Sequence, residues 1–171
     1  MSIELATKHD VKAVFTLLSR CKDYLIEQGI FQWNAEYPNL EYVKNDIAKG
    51  SLIKLTNDDQ LLGIVSFDDF QEPEYRTVNW QINGESIAVI HRLAVDPQFQ
   101  GRGIATILMN FAEKSISEAG FQAIRLDAYS GNEMVLGFYN KLEYKMIGEI
   151  NFPRISLPFI CMEKSLKTSN R

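Results

Sequence analysis

The sequence lacks the features that would indicate a membrane protein or a disulfide-built protein. None of its 171 residues belongs to an apolar run approaching the about 18 residues that a bilayer-spanning helix needs. Cys21 and Cys161 are its only cysteines and lie far apart, which favours reduced, buried thiols over a disulfide. The N-terminus is charged at short intervals and has no apolar core of a secretory signal. These absences predict a cytoplasmic protein without a membrane partner.

A surplus of positive charge is also missing. Eighteen Lys and Arg residues stand against 22 Asp and Glu residues, which gives a net charge of -4 and argues against a nucleic-acid partner. With 46% hydrophobic and 23% charged residues, the chain has the composition of one globular domain. We predict a single domain over residues 1–164 and a polar tail over residues 165–171. No cluster of metal ligands is predicted.

Hydrophobic periodicity predicts an antiparallel first half. A strand is expected at residues 3–6, a helix at 11–29 after the capping box of Thr7 and Asp10, and a helix at 40–49 capped by Asn39. Two apolar runs at residues 51–56 and 61–67 flank a polar turn and predict a hairpin. An acidic, aromatic connection follows at residues 68–80.

The second half has the pattern of a βαβ unit. A mostly apolar strand is expected at residues 87–95 and an amphipathic helix between Gly103 and Gly120. The remaining predictions are strands at residues 121–127, 144–150 and 159–162 and a helix at 132–141. The class is therefore mixed α/β.

A glycine-containing loop lies between that strand and the amphipathic helix. Gly101 and Gly103 flank Arg102 immediately before the helix begins. A helix start presents unpaired N–H groups and partial positive charge, and glycine lets a ligand approach, so the loop suits a phosphate. Glycines that serve only a tight turn are the alternative interpretation.

A dinucleotide-binding loop is a further alternative, with Asp127 as the ribose-binding acid. Thr106 occupies the third glycine position of that motif, and the glycines do not directly follow the strand that ends at Val95. Only 44 residues follow Asp127, too few to complete a doubly wound sheet. No Gly-Lys-Ser/Thr follows either, which excludes a Walker A loop.

Two motifs carry a resemblance to a known family. Residues 93–97 (Leu-Ala-Val-Asp-Pro) followed by Gln100-x-x-Gly103-x-Ala105 resemble the Q/R-x-x-G-x-G/A acetyl-coenzyme A signature of the GNAT N-acetyltransferases. Residues 132–139 are similar to that family's last helix, although Glu143-Tyr144 replaces the usual Gly-Phe after it. The resemblance implies a single-domain α/β (α+β) GNAT fold, with a mixed, mostly antiparallel sheet of six to seven strands and about four helices on both faces.

The resemblance also implies acetyl-coenzyme A as cosubstrate. The main chain of the strand would pair with the pantetheine arm, and the loop and helix start would hold the pyrophosphate. The residues expected to contact the cofactor are Leu93, Ala94, Val95, Gln100, Gly101, Arg102, Gly103, Ile104, Ala105, Thr106, Asn132 and Tyr139. Tyr139 would be the general acid, since a phenol with a pKa of about 10 can protonate a thiolate whose conjugate acid lies near about 8.5.

A base that deprotonates the attacking amine is less clearly marked. His91 is the best candidate, because imidazole exchanges protons near neutral pH and its strand leads to Leu93. Glu85, Asp127 and Glu133 are alternatives, and a water chain without a dedicated base is another.

The acceptor is expected to be a primary amine of unknown identity. Trp33 and Trp80 are predicted to line its site, which variable segments at residues 31–37, 68–80 and 151–158 would build. The acidic residues expected to attract a cationic amine are Asp68, Asp69, Glu72 and Glu74. A homodimer is the family-based expectation, and a non-catalytic acyl-coenzyme A-binding or sensory domain of the same fold is the alternative function.

Overall fold

The computed structural model describes residues 1–166. The strands are β1 (Ser2–Leu5), β2 (Leu52–Asn57), β3 (Gln60–Asp68), β4 (Ile87–Val95), β5 (Ala123–Tyr129), β6 (Lys145–Ile150) and β7 (Phe159–Ser165). The α-helices are α1 (Val11–Glu27), α2 (Leu40–Ala48), α3 (Ile104–Glu118) and α4 (Glu133–Lys141). The seven strands form one mostly antiparallel sheet in the order β1-β2-β3-β4-β5-β7-β6. This architecture confirms the predicted fold class. Within the described residues, no helix combines the length and apolarity needed to cross a membrane.

The chain forms two compact units. The first unit contains Met1–Phe67 and Arg92–Ala112, and the second contains Asp68–His91 and, of the described residues, 113–166. Strand β4 and helix α3 each contribute residues to both units.

In the first unit, the helix starts and strand pairing form as the local sequence patterns predict. The capping box forms between Thr7 and Asp10, where it opens a short 3-10 helix that leads into α1, and Asn39 caps α2 by accepting from the N–H groups of Glu41 and Tyr42. β1, β2 and β3 pair antiparallel as predicted. The buried core residues that hold these elements together are Ala6, Val14, Leu17, Leu18, Cys21, Trp33, Val43, Leu52, Ile64 and Ala94.

The second unit contains the parallel step of the sheet. β4 pairs with β5 between Ile87–Val89 and Ala123–Arg125, and β5 pairs with β7 along its whole length. Strand β5 begins two residues later than predicted. A 3-10 helix at Pro73–Thr77, with proline in its first turn, occupies the acidic connection and was not predicted. Strand β7 continues to Ser165, past the predicted strand end at residue 162 and into the predicted tail. Residues 167–171 of that tail lie outside the described residues.

Candidate active site

The glycine loop of the first unit has a backbone that requires glycine twice. Gly101 has φ 74° and Gly103 has φ 77°, a left-handed conformation that costs other residues about 1–2 kcal/mol. A Cβ atom built at either glycine would meet nothing within 4 Å. The backbone therefore demands glycine while the space beside it is open, which fits a loop that a ligand approaches closely.

Helix α3 begins directly after this loop, and the N–H of Ile107 donates to the carbonyl of Gly103 at 3.1 Å. Arg102 is exposed, and its guanidinium lies 5.3 Å from the centre of the Phe99 ring. The helix start and Arg102 give the loop a local positive potential in a chain of net charge -4. These features suit a polyphosphate.

Asp96 anchors the chain between β4 and the loop. Its buried carboxylate pairs with Arg20 Nη2 at 2.7 Å and accepts from the N–H of Gln98 at 3.0 Å. Its own N–H donates to the carbonyl of Leu62 at 2.9 Å. These bonds link β3, α1 and the loop entry within one unit, so the loop is held on a rigid support.

The end of β4 alternates in burial. Leu93 and Val95 are half-buried, whereas Arg92 and Ala94 are buried. The thiol of Cys21 donates to the carbonyl of Val95 at 3.3 Å. Leu93 and Val95 therefore share the less buried face, as the strand period predicts.

In the second unit, Tyr139 of α4 is buried among aromatic rings. Its ring centre lies 5.3 Å from that of Phe138 and 5.7 Å from that of Tyr144. Burial raises the pKa of Tyr139 above the ordinary phenol value, and the negative charge of Asp127 raises it further. The phenol is therefore fully protonated at neutral pH, as a proton donor must be.

Asn132 has a structural function at the start of the same helix. Its Oδ1 accepts from the N–H of Val135 at 3.2 Å, and the residue is buried. The structure thus gives the predicted cofactor residue Asn132 a capping role, which is the usual reason for asparagine at a helix start.

The far end of α4 closes as a Schellman motif although the expected glycine is absent. The N–H of Tyr144 donates to the carbonyl of Tyr139 at 3.1 Å, and the N–H of Glu143 to that of Asn140 at 3.0 Å. Glu143 adopts φ 69°, the left-handed conformation for which the family uses glycine. The helix therefore ends with a common backbone geometry, and the left-handed backbone conformation is strained at Glu143 because this residue is not glycine.

Asp127 on β5 receives a hydrogen bond that the sequence did not reveal. The hydroxyl of Tyr75, in the 3-10 helix, donates to Asp127 Oδ2 at 2.6 Å. Burial raises the pKa of Asp127, while the Tyr75 hydrogen bond opposes this effect. Because 52 residues separate the two partners, no local pattern could have identified Tyr75.

His91 is paired with an acid of the same unit. Its Nε2 lies 2.6 Å from Asp68 Oδ1, and the same oxygen accepts from the N–H of Phe70 at 2.9 Å. The His91 side chain is 7% exposed. A carboxylate fixed in this way orients the imidazole ring.

The second unit also contains an open pocket of about 400 Å³. Its lining includes Trp80, a predicted acceptor residue, together with Glu72 and Arg125. Trp33, the other predicted acceptor residue, is packed in the apolar core of the first unit, which accounts for its burial. Asp68, expected to attract an amine, is bonded to His91.

Both cysteines are free and buried, and burial raises the pKa of each thiol to about 12. Thiols of this kind are poor nucleophiles at neutral pH. The structure therefore gives no support to a covalent acyl-cysteine intermediate.

Comparison with known proteins places this arrangement in context. Residues 12–144 match the model of the acetyltransferase (GNAT) family. The chain is 26% identical over 146 residues to an uncharacterised N-acetyltransferase of Bacillus subtilis, covering 84% of this chain and 81% of that protein. It is 29% identical over 158 residues to an acetyltransferase of Pectobacterium atrosepticum, covering 86% and 89%. A GNAT-family acetyltransferase structure from Streptococcus agalactiae has the same fold, with a TM-score of 0.85 at 22% identity and coverage of 97% and 95%.

Proposed function

Because this chain belongs to the GNAT family of acetyltransferases, we propose that it transfers an acetyl group from acetyl-coenzyme A to a primary amine by direct attack in a ternary complex. The observation that supports this most directly is the open, left-handed Gly101–Gly103 loop at the start of α3. The free, buried thiols of Cys21 and Cys161 favour direct attack over a covalent intermediate and agree with a cytoplasmic location.

The first unit supplies the residues that would hold the cofactor, whose thioester provides the activated acetyl group. Backbone N–H groups of residues 101–106 and the guanidinium of Arg102 suit the pyrophosphate, since they offer donors without a bulky side chain at the glycines. The main chain of Leu93, Ala94 and Val95 would pair with the extended pantetheine arm as an added strand.

Tyr139 is the proposed general acid. Its phenol keeps its proton at neutral pH and can donate a hydrogen bond to the sulfur as negative charge develops there. The proton then passes to the departing thiolate as the carbon–sulfur bond breaks. Phe138 and Tyr144 fix the ring, so the hydroxyl is held without a large entropic cost at the moment of reaction.

His91 is the proposed base for the attacking amine. Since Asp68 engages Nε2, the proton from the ammonium group would be accepted at Nδ1. Asp68 is then a positioning residue that fixes the orientation of the imidazole ring. Asp127 is the competing candidate, because its raised pKa makes it a stronger base than an ordinary aspartate.

The test is a thermal-shift measurement with acetyl-coenzyme A. We expect the cofactor to raise the melting temperature of the native protein and to have no effect on Gly103→Trp. Gly29→Trp is the matched control, because Gly29 also has a positive φ of 75° and open space around it but lies outside the loop. The control should lose stability and retain the cofactor-induced shift.

A thiol-release assay with a panel of primary amines then tests catalysis. Amine-dependent release of coenzyme A supports the transferase. A cofactor-induced shift without release from any amine would instead identify a non-catalytic acyl-coenzyme A-binding domain, and no shift at saturating cofactor would refute the proposal.

A further inference from the structure

Arg125 is a buried cation on the wall of the pocket in the second unit. It is only 7% exposed, and its guanidinium stacks 4.3 Å from the centre of the Trp80 ring. Nη1 donates to Gln71 Oε1 at 2.6 Å, and Nη2 donates to the carbonyl of Ile82 at 2.8 Å. Nε has no hydrogen-bond partner among the described residues. The buried guanidinium is thus bonded to neutral oxygens alone.

The acid nearest to Arg125 in the sheet does not contact its guanidinium directly. Glu163 lies opposite Arg125 on β7 and acts on the guanidinium through its negative charge, while its carboxylate oxygens accept from the N–H groups of Gln81 and Ile82. Within residues 1–166, no carboxylate oxygen comes within 4.0 Å of a nitrogen of Arg125. Since no carboxylate contacts the guanidinium directly and its buried Nε has no partner, the site has capacity for one more acceptor.

A second arginine faces the same pocket. Arg76, at the end of the 3-10 helix, lines this pocket and is exposed. Among the described residues, no carboxylate oxygen lies within 4.0 Å of a nitrogen of its guanidinium either. Asn83 adds an amide, and Glu72 is the acid in the lining. Two arginines against one glutamate give the pocket a positive balance in a chain of net charge -4.

The pocket is connected to the proposed reaction centre through Tyr75. Tyr75 is one of the residues that line the pocket, and its hydroxyl donates to Asp127. Asp127 in turn acts electrostatically on Tyr139, the proposed general acid. A molecule in the pocket would therefore contact Tyr75, whose hydroxyl is bonded to an acid that acts on Tyr139.

We propose that this pocket binds the carboxylate of the acceptor, so that the substrate class is an amine that also bears a carboxylate, such as an amino acid. The inference rests on the proposed function. Arg125 and Arg76 supply the charge, and the planar guanidinium of Arg125, held against Trp80, recognises two oxygens in one plane. Glu72 suits a second, cationic group on the same molecule.

The binding test does not require catalysis, because Trp80 reports on the pocket. The protein has two tryptophans, so its amide–nitrogen NMR spectrum contains two indole signals, which Trp33→Phe assigns. Titrants are a panel of L-amino acids, the matching L-amino acid amides and inorganic phosphate at equal ionic strength. We expect saturable shifts of the Trp80 signal with amino acids, affinities about tenfold weaker with the amides, and no response from Trp33.

Variants locate the binding group. Arg76→Gln, on the surface, should weaken amino-acid binding about tenfold without changing the melting temperature. Arg125→Lys keeps the charge but removes the planar fork, and should weaken it similarly. Lys114→Gln is the control on the exposed face of α3 and should bind as the native protein does. Equal binding of acids and amides, binding by phosphate alone, or no saturable shift with any amino acid would overturn the proposal.

Kinetics separate this proposal from the proposed function. With amino-acid acceptors, Arg76→Gln should raise KM about tenfold and leave kcat nearly unchanged. Amine-dependent thiol release with equal KM for acids and amides would overturn the carboxylate site and leave the transferase intact. Amino-acid binding at Trp80 without thiol release from any amine would overturn the transferase and leave the carboxylate site intact.

Discussion

Arg92 and Asp46 form a buried two-point ion pair in the first unit. Arg92 Nε donates to Asp46 Oδ2 at 2.7 Å and Nη2 donates to Oδ1 at 2.6 Å, and both side chains are 6% exposed. Arg92 Nη1 also donates to the hydroxyl of Tyr37 at 2.8 Å. One arginine on β4 therefore holds helix α2 and the aromatic segment before it in place.

Removing one partner of this pair should be strongly destabilising. Arg92→Met leaves the Asp46 carboxylate buried without a cation, and we expect a loss of about 3–5 kcal/mol in the free energy of unfolding. Denaturant unfolding measures this loss. The double variant Arg92→Met/Asp46→Leu should recover most of it, because no buried charge remains. A double variant as unstable as the single one would show that the geometry of the pair, and not the unpaired charge, sets the cost.

The strained residue at the end of α4 offers a stabilising change. Glu143→Gly should raise the free energy of unfolding by about 1 kcal/mol, since glycine adopts the left-handed conformation without strain. Glu133→Gly, at the start of the same helix, should be destabilising and serves as the control. If Glu143→Gly lowered stability, the Glu143 side chain would have to make a contact that outweighs the strain.

The buried carboxyl of Asp127 should make stability depend on pH. Burial raises its pKa, so the folded protein retains this proton to higher pH than the unfolded chain does. The stability that the protonated carboxyl contributes is therefore present at low pH. It is lost as the pH rises from the ordinary aspartate pKa through the raised pKa of Asp127.

Asp127→Asn should consequently raise the melting temperature at neutral pH, because asparagine is uncharged and can still accept from Tyr75. The difference from the native protein should shrink as pH falls toward about 4, where aspartate is itself protonated. Asp23→Asn, at a side chain that is 70% exposed, is the control. A difference that did not vary with pH would contradict the assignment.

The elements that local patterns determine were predictable from sequence. The capping roles of Thr7 and Asn39 depend on neighbours two or three residues away, and helix and strand periods are read from the same short windows. The glycine loop is predictable for the same reason. Gly101 and Gly103 stand directly before an amphipathic helix in the sequence, and the structure adds that both adopt positive φ.

The contacts that build the candidate site were not predictable in this way. Tyr75 meets Asp127 across 52 positions and His91 meets Asp68 across 23, and only the folded sheet brings these partners together. Aromatic residues in non-periodic segments look alike from sequence, so the sequence predicts the same acceptor-lining role for Trp33 and Trp80. The structure separates them, with Trp33 in an apolar core and Trp80 on a pocket wall.

The proposed base can be tested through its partner. His91→Gln should lower kcat/KM at neutral pH by about a hundredfold, and Asp68→Asn by less, because the imidazole remains but loses its fixed orientation. In His91→Gln the rate should rise steeply with pH as the unprotonated fraction of the amine grows. Unchanged kcat/KM in His91→Gln, with a loss in Asp127→Asn, would assign the base to Asp127.

Tyr139→Phe tests the proposed acid most directly. The substitution removes one hydroxyl from a ring that Phe138 and Tyr144 already hold, so folding should be little affected. We expect kcat to fall about a hundredfold or more while the acetyl-coenzyme A thermal shift is unchanged. Tyr144→Phe is the matched control, because it removes a hydroxyl that donates to Glu113 at 2.9 Å and takes no part in the proposed chemistry.

The pH dependence of kcat gives a second measurement, which a purely structural role of Tyr139 would not affect. Because burial and Asp127 raise the pKa of Tyr139, the native enzyme should show no alkaline loss of kcat up to pH about 10, the ordinary phenol value. A general acid with an unshifted pKa would begin to lose its proton, and the rate would decline, in that range. If Tyr139→Phe kept the kcat of the native enzyme, solvent or another group would be shown to protonate the thiolate. The function of Tyr139 would then be to pack α4 against Tyr144.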